Sequence, residues 1–389
     1  MSEHMALENL TVLDLTRVLA GPFCTMMLAD MGANVIKIEV PKGGDDTRSY
    51  PPFRAKNLNG ERESVYFANI NRNKKGITLN LRPPEGKEIF KELVKKADIV
   101  VENYRPGVMD KLGLGYDVLK EINPRIIYAA VSGFGCYGPY HLRPGYDILA
   151  QAMGGMMSIT GSKGGEPTRA GSALGDILGG LHVTIGILAA VNARTITGKG
   201  QRVDVSLMDS MIAATENTAL KYIETGNIPA PMGNRYAAVS PYDSFTCKGG
   251  KVIIAQATRS CTKSSAMRCD GTPDMITDPR FVDMPGRLAN QDAIAEVIEE
   301  RIKDLTPNEA AELVLAHGIP AGPIMNIKEI LDDPHVKERE MFVEMDHPTL
   351  GKVTVNGCAI KLMDTKPLCA PPAPQLGRTT GTSLRVFWA

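Results

Sequence analysis

The chain has 389 residues, 43% hydrophobic and 23% charged, with 44 basic and 44 acidic side chains and no formal net charge. That is the composition of a globular protein too long for one core, so two domains are expected. The charge balance speaks against nucleic acid or an anionic membrane surface as partner, because proteins that bind those carry a basic excess. It leaves room for a local basic pocket that takes a phosphorylated small molecule. Met1–Glu8 has neither the basic start nor the apolar core of a signal peptide. No uninterrupted apolar run approaches the ~20 residues that a bilayer span needs. The seven cysteines are dispersed and form no Cys-x-x-Cys pair, so free thiols in a cytoplasmic protein are expected, not disulfides or structural zinc.

Leu10–Leu15 reads as a buried strand, Val18–Pro22 as a turn, Cys24–Met31 as a helix stopped by Gly32, and Asn34–Glu39 as a second strand. Strand, helix and strand within about 30 residues form a βαβ unit with parallel strands. Its first turn holds Ala20-Gly21-Pro22 and lacks Gly-x-Gly-x-x-Gly, so a dinucleotide is not supported. Lys42–Arg48 is a polar loop, either a solvated connection or a cover for a site. Ile77–Leu81 is a strand, Pro84–Lys96 a helix, and Ala97–Glu102 a strand that runs into Asn103-Tyr104-Arg105-Pro106-Gly107. In open parallel sheets ligands bind beyond the carboxyl ends of strands, which marks that loop as a place for one.

Arg125–Val131 is the next strand, followed by Ser132-Gly133-Phe134-Gly135, and a helix starts at Ile148. Arg202–Leu207 alternates as a strand, and a helix over Met208–Thr225 closes the first domain (1–225). Pro229, Pro231 and Gly233 mark a linker into a smaller α+β domain (226–328). There Tyr242–Phe245 and Lys251–Ala255 pair as a hairpin around Gly249-Gly250, and helices cover Asp292–Lys303 and Pro307–His317. Arg259–Gly271 is polar and lacks the apolar stripe that a packed helix needs. Residues 329–389 form a Pro-rich C-terminal segment.

The six histidines show no ligand spacing, so no metal site is expected. No Gly-x-Ser-x-Gly elbow is present, and Ser132-Gly133 is no substitute for one. Carboxylate chemistry remains. Asp176 lies in Gly171–Gly180, at or just before the first turn of a helix that carries Leu181, Val183, Ile187 and Val191. Two readings stay open: an N-cap, or a carboxylate that the glycine-bared backbone leaves within reach of a substrate. Asp147 also precedes a helix. A carboxylate can act as nucleophile on an acyl group, with backbone N–H groups stabilising the oxyanion.

In order, the chain carries Ala20-Gly21-Pro22, Gly32–Glu39, Gly44-Asp45-Asp46-Thr47-Arg48, Val101–Gly107, Leu112-Gly113, Asn123-Pro124-Arg125, Ser132–Gly135, Pro144-Gly145-Tyr146-Asp147, Gly175-Asp176 and Gly198–Gln201. Together these resemble the class III CoA-transferases, of the formyl-CoA transferase and carnitine CoA-transferase (CaiB/BaiF) type, from about Leu7 to Ile360. The resemblance implies an α/β fold. A large Rossmann-like domain with a parallel sheet would join a smaller α+β domain, and the C-terminal segment would return to the large one in an interlocked homodimer. It also implies that Asp176 is the nucleophile, with Tyr146 and Asp147 beside it. CoA contacts would fall on Val18, Leu19, Ala20, Leu79, Arg82, Asn103, Tyr104, Arg105, Lys111 and Arg143. Coenzyme A and acyl-CoA would be substrates, with no resident cofactor, and the acceptors would be small mono- or dicarboxylic acids such as oxalate, formate or succinate.

Leu19 and Val40 stand where formyl-CoA transferases carry a glutamine and a basic residue, and the glycine-rich loop between Ser240 and Ala257 is short. Arg259–Gly271 and the tail Arg378–Ala389 also depart from the family pattern. The α-methylacyl-CoA racemases of the same superfamily carry histidine at the position of Tyr146, so a two-base proton exchange lacks one base here. A non-catalytic CoA-binding protein is the remaining alternative.

Overall fold

The structure, a computed structural model, describes residues 4–54, 62–255, 278–377 and 381. Arg259–Gly271 lies outside the described residues, as does the tail beyond Gly377 apart from Gly381. Two compact units are present. The first takes in Met1–Ser158, Arg169–Ile228 and Pro334–Ala389, and the second Ile159–Thr168 and Pro229–Asp333. Sequence texture placed a boundary near residue 226 and gave no sign of the Ile159–Thr168 excursion.

In the first unit β1 (Thr11–Asp14), α1 (Ala20–Asp30) and β2 (Asn34–Glu39) form the expected βαβ crossover. A short hairpin of β3 (Phe53–Arg54) and β4 (Glu63–Ser64) precedes α2 (Val65–Ile70). Next come β5 (Lys75–Thr78), α3 (Pro84–Lys95), β6 (Ile99–Glu102), α4 (Val108–Lys111), α5 (Tyr116–Ile122) and β7 (Ile127–Ser132). The remainder is α6 (Asp147–Met153), α7 (Met156–Ile159), α8 (Leu174–Thr197), β8 (Arg202–Ser206), α9 (Leu207–Ala214) and α10 (Thr218–Thr225). Six strands make one sheet in the order β5-β2-β1-β6-β7-β8, and every pairing in it is parallel.

Strand alternation sends side chains to two cores. Val12, Val101, Ala129 and Val131 face α1 and α8, while Leu13, Val100, Tyr128 and Ala130 join Phe90, Leu93 and Leu119 on the other face. A parallel sheet covered on both faces explains the nearly continuous apolar runs in these strands.

Three differences from the sequence reading have local causes. Ala20-Gly21-Pro22 is the first turn of α1, not a turn before it. Proline is tolerated there because first-turn N–H groups lack intrahelical partners. The single helix expected over Met208–Thr225 is two, α9 and α10, broken where Glu216 adopts φ 55°. The strand read at Ile77–Leu81 is β5, which ends at Thr78.

Helix α8 is long and apolar enough, by length and composition, to cross a membrane. Val183, Ile187 and Ala190 on it are buried in the core shared with α1. Its glycines were read as access for a substrate, but most are packing sites. A Cβ on Gly179 would lie 2.4 Å from Leu207 Cδ2, and one on Gly180 would lie 2.8 Å from the Ala20 carbonyl oxygen. Of the glycines in Gly171–Gly180, Gly171 faces open space.

In the second unit β9 (Tyr242–Cys247) and β10 (Gly250–Ala255) form the expected hairpin, and β11 (Ala321–Pro323) pairs antiparallel with β10. Helices Gln291–Ile302 and Pro307–Leu315 pack on it through Ile302, Ala310 and Val314. Thr306 and Glu309 close a capping box on the second helix. The C-terminal part of the first unit adds the hairpin β12 (Phe342–His347) and β13 (Gly351–Asn356). The described cysteines are free thiols.

Gly180→Ala should force α8 away from backbone at the start of α1. A loss of about 1–3 kcal/mol, typical of overpacking, should appear as a lower midpoint in thermal unfolding. An unchanged midpoint would show that the two helices part at no cost.

Candidate active site

The loop after β1 is fixed from below by buried charge. Lys37 is fully buried on β2, donates to the Thr16 carbonyl at 2.8 Å and pairs with Asp45 at 2.8 Å. Asp14 Oδ1 accepts the Thr16 N–H at 2.9 Å, and Asp14 Oδ2 pairs with Lys74 at 3.1 Å. Asp45 Oδ1 accepts the Val18 N–H at 3.2 Å. Burial works against charge on Lys37, but Asp14, Asp45 and Glu39 hold its pKa above the ordinary value. Burial, aided by Lys37, pushes Lys74 down to about 8 against the pull of Asp14. The outcome is a turn whose Val18 sits at φ 67°, a left-handed conformation that β-branched residues avoid.

From the other side, the loop after β6 reaches over. Asn103 Oδ1 accepts the Arg17 N–H at 2.9 Å, and Asn103 Nδ2 donates to the Arg17 carbonyl at 2.6 Å. The Arg17 guanidinium lies 5.9 Å over the Tyr104 ring. β1 and β6 are neighbours from which the chain proceeds in opposite directions along the sheet. Their carboxyl ends therefore splay at the topological switch point, where open α/β sheets bind ligands. A cleft of about 810 Å3, open to solvent, lies there.

Asp176 lines that cleft. It is the third residue of α8, whose N-cap position is Ala173, so Asp176 is not the cap. The acceptor at the helix start comes from elsewhere in the chain. Asp147 Oδ1 receives the Gly175 N–H at 2.7 Å and the Asp176 N–H at 3.4 Å, while Asp147 Oδ2 receives Gln151 Nε2 at 2.8 Å. Buried Gln151 also accepts the Ala170 N–H at 2.9 Å, tying down the segment before α8. In the segment between β7 and α6 that leads to Asp147, Gly133 and Gly145 face each other, and a Cβ on Gly133 would lie 2.6 Å from Gly145 Cα.

No described side chain donates a hydrogen bond to the Asp176 carboxylate. Burial, then repulsion from Asp147, raises its pKa from 3.8 to about 7. The positive end of α8 opposes this, but a helix terminus is worth only ~0.3–1 kcal/mol at an exposed site, less than the effective cost of burying an unpaired carboxylate.

Of the residues expected from sequence, Val18, Leu19, Ala20, Asn103, Tyr104, Arg105, Arg143, Tyr146 and Asp176 line the cleft. Asp147 lies beneath it through its bonds to α8. Leu79, Arg82 and Lys111 do not line it. Leu79 packs on the opposite core layer from α8, and Lys111 is in α4. Sequence reasoning did not assign Arg17, Ser132 or Leu207, which also line the cleft. It also missed Tyr66 on α2, whose phenol is pushed up to about 12 by burial and by the charge of Asp176. Helix α2 spans six residues and carries too little periodicity to announce itself. The Arg143 guanidinium is held 3.9 Å over the Tyr140 ring.

The arrangement is a lone carboxylate at a cleft rimmed by Arg17, Arg105 and Arg143, suited to an anionic ligand that carries an acyl carbon. Comparisons agree with this chemistry. The chain matches the profile of CoA-transferase family III over residues 7–380. It is 41% identical over 378 residues to a succinyl-CoA:mesaconate CoA-transferase of Haloarcula marismortui, covering 95% of this chain and 93% of the relative. It is 39% identical over 386 residues to an acetyl-CoA:oxalate CoA-transferase of Acetobacter aceti, covering 98% and 95%. A CAIB/BAIF family protein from Brucella suis superposes with a TM-score of 0.86 at 36% identity, covering 99% of this chain and 100% of that one. The chain belongs to CoA-transferase family III and is a CoA-transferase.

The raised pKa of Asp176 has a stability consequence. Between about 4 and 7 the folded chain holds a proton that the unfolded chain releases, so stability falls as pH rises through that window. At ~1.4 kcal/mol per tenfold change in proton affinity, the ionised carboxylate costs on the order of 4 kcal/mol above pH 7. Asp176→Asn should therefore unfold at a higher temperature than the parent at pH 8, with the gap closing towards pH 4. Calorimetry at both ends of the window checks this. A gap independent of pH would remove Asp176 as its source.

Proposed function

We propose that Asp176 is the nucleophile of CoA transfer from an acyl-CoA to a free carboxylic acid. The observation that carries this reading is the state of its carboxylate: cleft-lining, partly desolvated and, among the described residues, bound by no donor. Desolvation and the lack of hydrogen bonds leave its electron pairs free for attack. The carboxylate adds to the thioester carbonyl, forming a C–O bond, and expels CoA thiolate, giving a mixed anhydride. The thiolate then attacks the aspartyl carbonyl and releases the donor acid, which leaves an aspartyl-CoA thioester. The acceptor carboxylate repeats the first attack on that thioester, and the returning thiolate collects the acceptor acyl group and restores Asp176. Proton balance is neutral throughout.

Val18, Leu19, Ala20, Asn103, Tyr104, Arg105 and Arg143 take the CoA portion, with the arginines suited to its phosphates. Arg82 and Lys111, off the cleft with Leu79, take the distal nucleotide end. Tyr66 remains a neutral phenol near Asp176 and is suited to donate to a reacting oxygen. Small dicarboxylic acids are the acceptors we favour, supported by the relatives named for mesaconate and oxalate. We place the reaction in the cytoplasm, where thiols such as Cys24 stay reduced.

We propose further that the chain works as an interlocked homodimer. Exposed Ile185 and Ile196 on α8, with Leu220 and Ile223 on α10, supply apolar surface of the kind that a partner buries. Light scattering of the purified protein should give twice the chain mass, and a monomer would overturn this.

Incubation of succinyl-CoA or acetyl-CoA with dicarboxylic acids should yield the acceptor's CoA ester by mass spectrometry. Asp176→Ala should lower transfer by at least about a thousandfold, the scale seen when nucleophiles are deleted. Hydroxylamine should modify Asp176 only when acyl-CoA is present. In the parent, kcat/KM should rise through about pH 7 as Asp176 ionises. Full activity in Asp176→Ala would sink the assignment.

A further inference from the structure

Glu102 ends β6 and is 6% exposed. The acyl-transfer chemistry does not use it, and it does not line the cleft. Its Oε2 accepts the Tyr104 N–H at 2.7 Å and its Oε1 accepts the Tyr128 hydroxyl at 3.2 Å. No ion pair within the described residues neutralises it. Burial dominates and raises its pKa to about 7, against the lowering by the Tyr104 and Tyr128 hydrogen bonds and by Arg202 on β8, with Asp110 on α4 adding to the rise. An unpaired acid buried at this cost calls for a reason.

We propose that Glu102 is a positioning residue for acyl-CoA, an acceptor that holds the Asn103–Pro106 loop in its ligand-facing conformation. This rests on the reading that the cleft takes acyl-CoA. Successive residues of the loop are pinned in different directions. The Tyr104 N–H is held inward by Glu102, while the Asn103 side chain clamps both polar groups of the Arg17 backbone. With those two points fixed, Tyr104 and Arg105 have little freedom, and both line the cleft. A loop already in its bound conformation spares the ordering cost on binding.

The group works through its lone pairs and not through its charge. As a carboxylate it accepts both donors. As an acid it accepts from Tyr104 at the carbonyl oxygen and donates its own proton to a reoriented Tyr128 hydroxyl. Glutamine reproduces the second pattern, whereas alanine leaves the Tyr104 N–H unpaired.

Titration calorimetry with acetyl-CoA on the parent, Glu102→Gln and Glu102→Ala, alongside steady-state kinetics, tests this. Glu102→Ala should raise Kd and KM for acyl-CoA about tenfold or more, the scale of one unsatisfied buried donor, with kcat changed far less. Glu102→Gln should restore binding close to the parent at pH 6 and at pH 8. Equal binding by parent and Glu102→Ala overturns the proposal, as does a Glu102→Gln that binds as poorly as alanine. If Glu102→Ala does not fold, amide exchange in the ligand-free parent decides. The Tyr104 N–H should exchange slowly, and exchange as fast as the open Gly171 amide overturns the proposal. A parent that binds no acyl-CoA defeats the functional reading instead.

Discussion

Four charged side chains buried beneath the β1 loop are the constraint on which the site depends. Asp14, Lys37, Lys74 and Asp45 are each at most 4% exposed. Removing such groups from water costs several kcal/mol apiece, so they persist only because they satisfy one another and the backbone around them. Lys37 and Asp14 hold Thr16, and Asp45 holds Val18. A valine in the left-handed region costs on the order of 1–3 kcal/mol. The network supplies the over-determination that keeps it there, and the turn then delivers Leu19 and Ala20 to the cleft and starts α1 beside it. One end of the network reaches β2 and another reaches Lys74 ahead of β5, so the cleft wall is braced by neighbouring strands instead of hanging from a single loop.

The chemistry at the cleft rests on a second, opposed arrangement. Asp147 gives α8 the acceptor that Ala173 cannot, and the same charge repels Asp176. The two carboxylates differ by their partners. Asp147 receives bonds from Gly175 and Gln151, whereas no described side chain donates to Asp176. The fold thus gives up stability at the carboxylate proposed as the nucleophile, in keeping with the trade between stability and activity at functional sites.

Much of the large unit was legible before the fold was known. Strands β1, β2, β6 and β7 stand out as short, mainly apolar runs because both sheet faces are covered, β8 stands out by alternation, and the crossover α1 follows from chain length and the stop at Gly32. The two-residue strands β3 and β4 and the four-residue helix α4 were not legible, being too short to show a period. Helix α2 is six residues long, and Tyr66 was lost with it. Glycines misled in one respect. Those of α8 looked like an opening for substrate, but Gly179 and Gly180 are filled by Leu207 and by the backbone of Ala20, which sequence spacing cannot reveal.

By itself the sequence determined the order of the main strands and helices of the first unit, the parallel character of the sheet, the ordered motifs that resemble one transferase family, and a carboxylate at the start of a long apolar helix. Those properties depend on local periodicity and on residue types in order along the chain. Only the tertiary structure decided that Asp147 caps α8 and Asp176 does not, that Arg17 is locked by Asn103 across 86 residues of sequence, and that Leu79, Arg82 and Lys111 fall outside the cleft while Leu207 falls inside. The reason is the strand order β5-β2-β1-β6-β7-β8. It sets β1 beside β6 and displaces β5 to an edge, and that neighbourhood comes from packing both faces of the sheet, not from any pattern within a single segment.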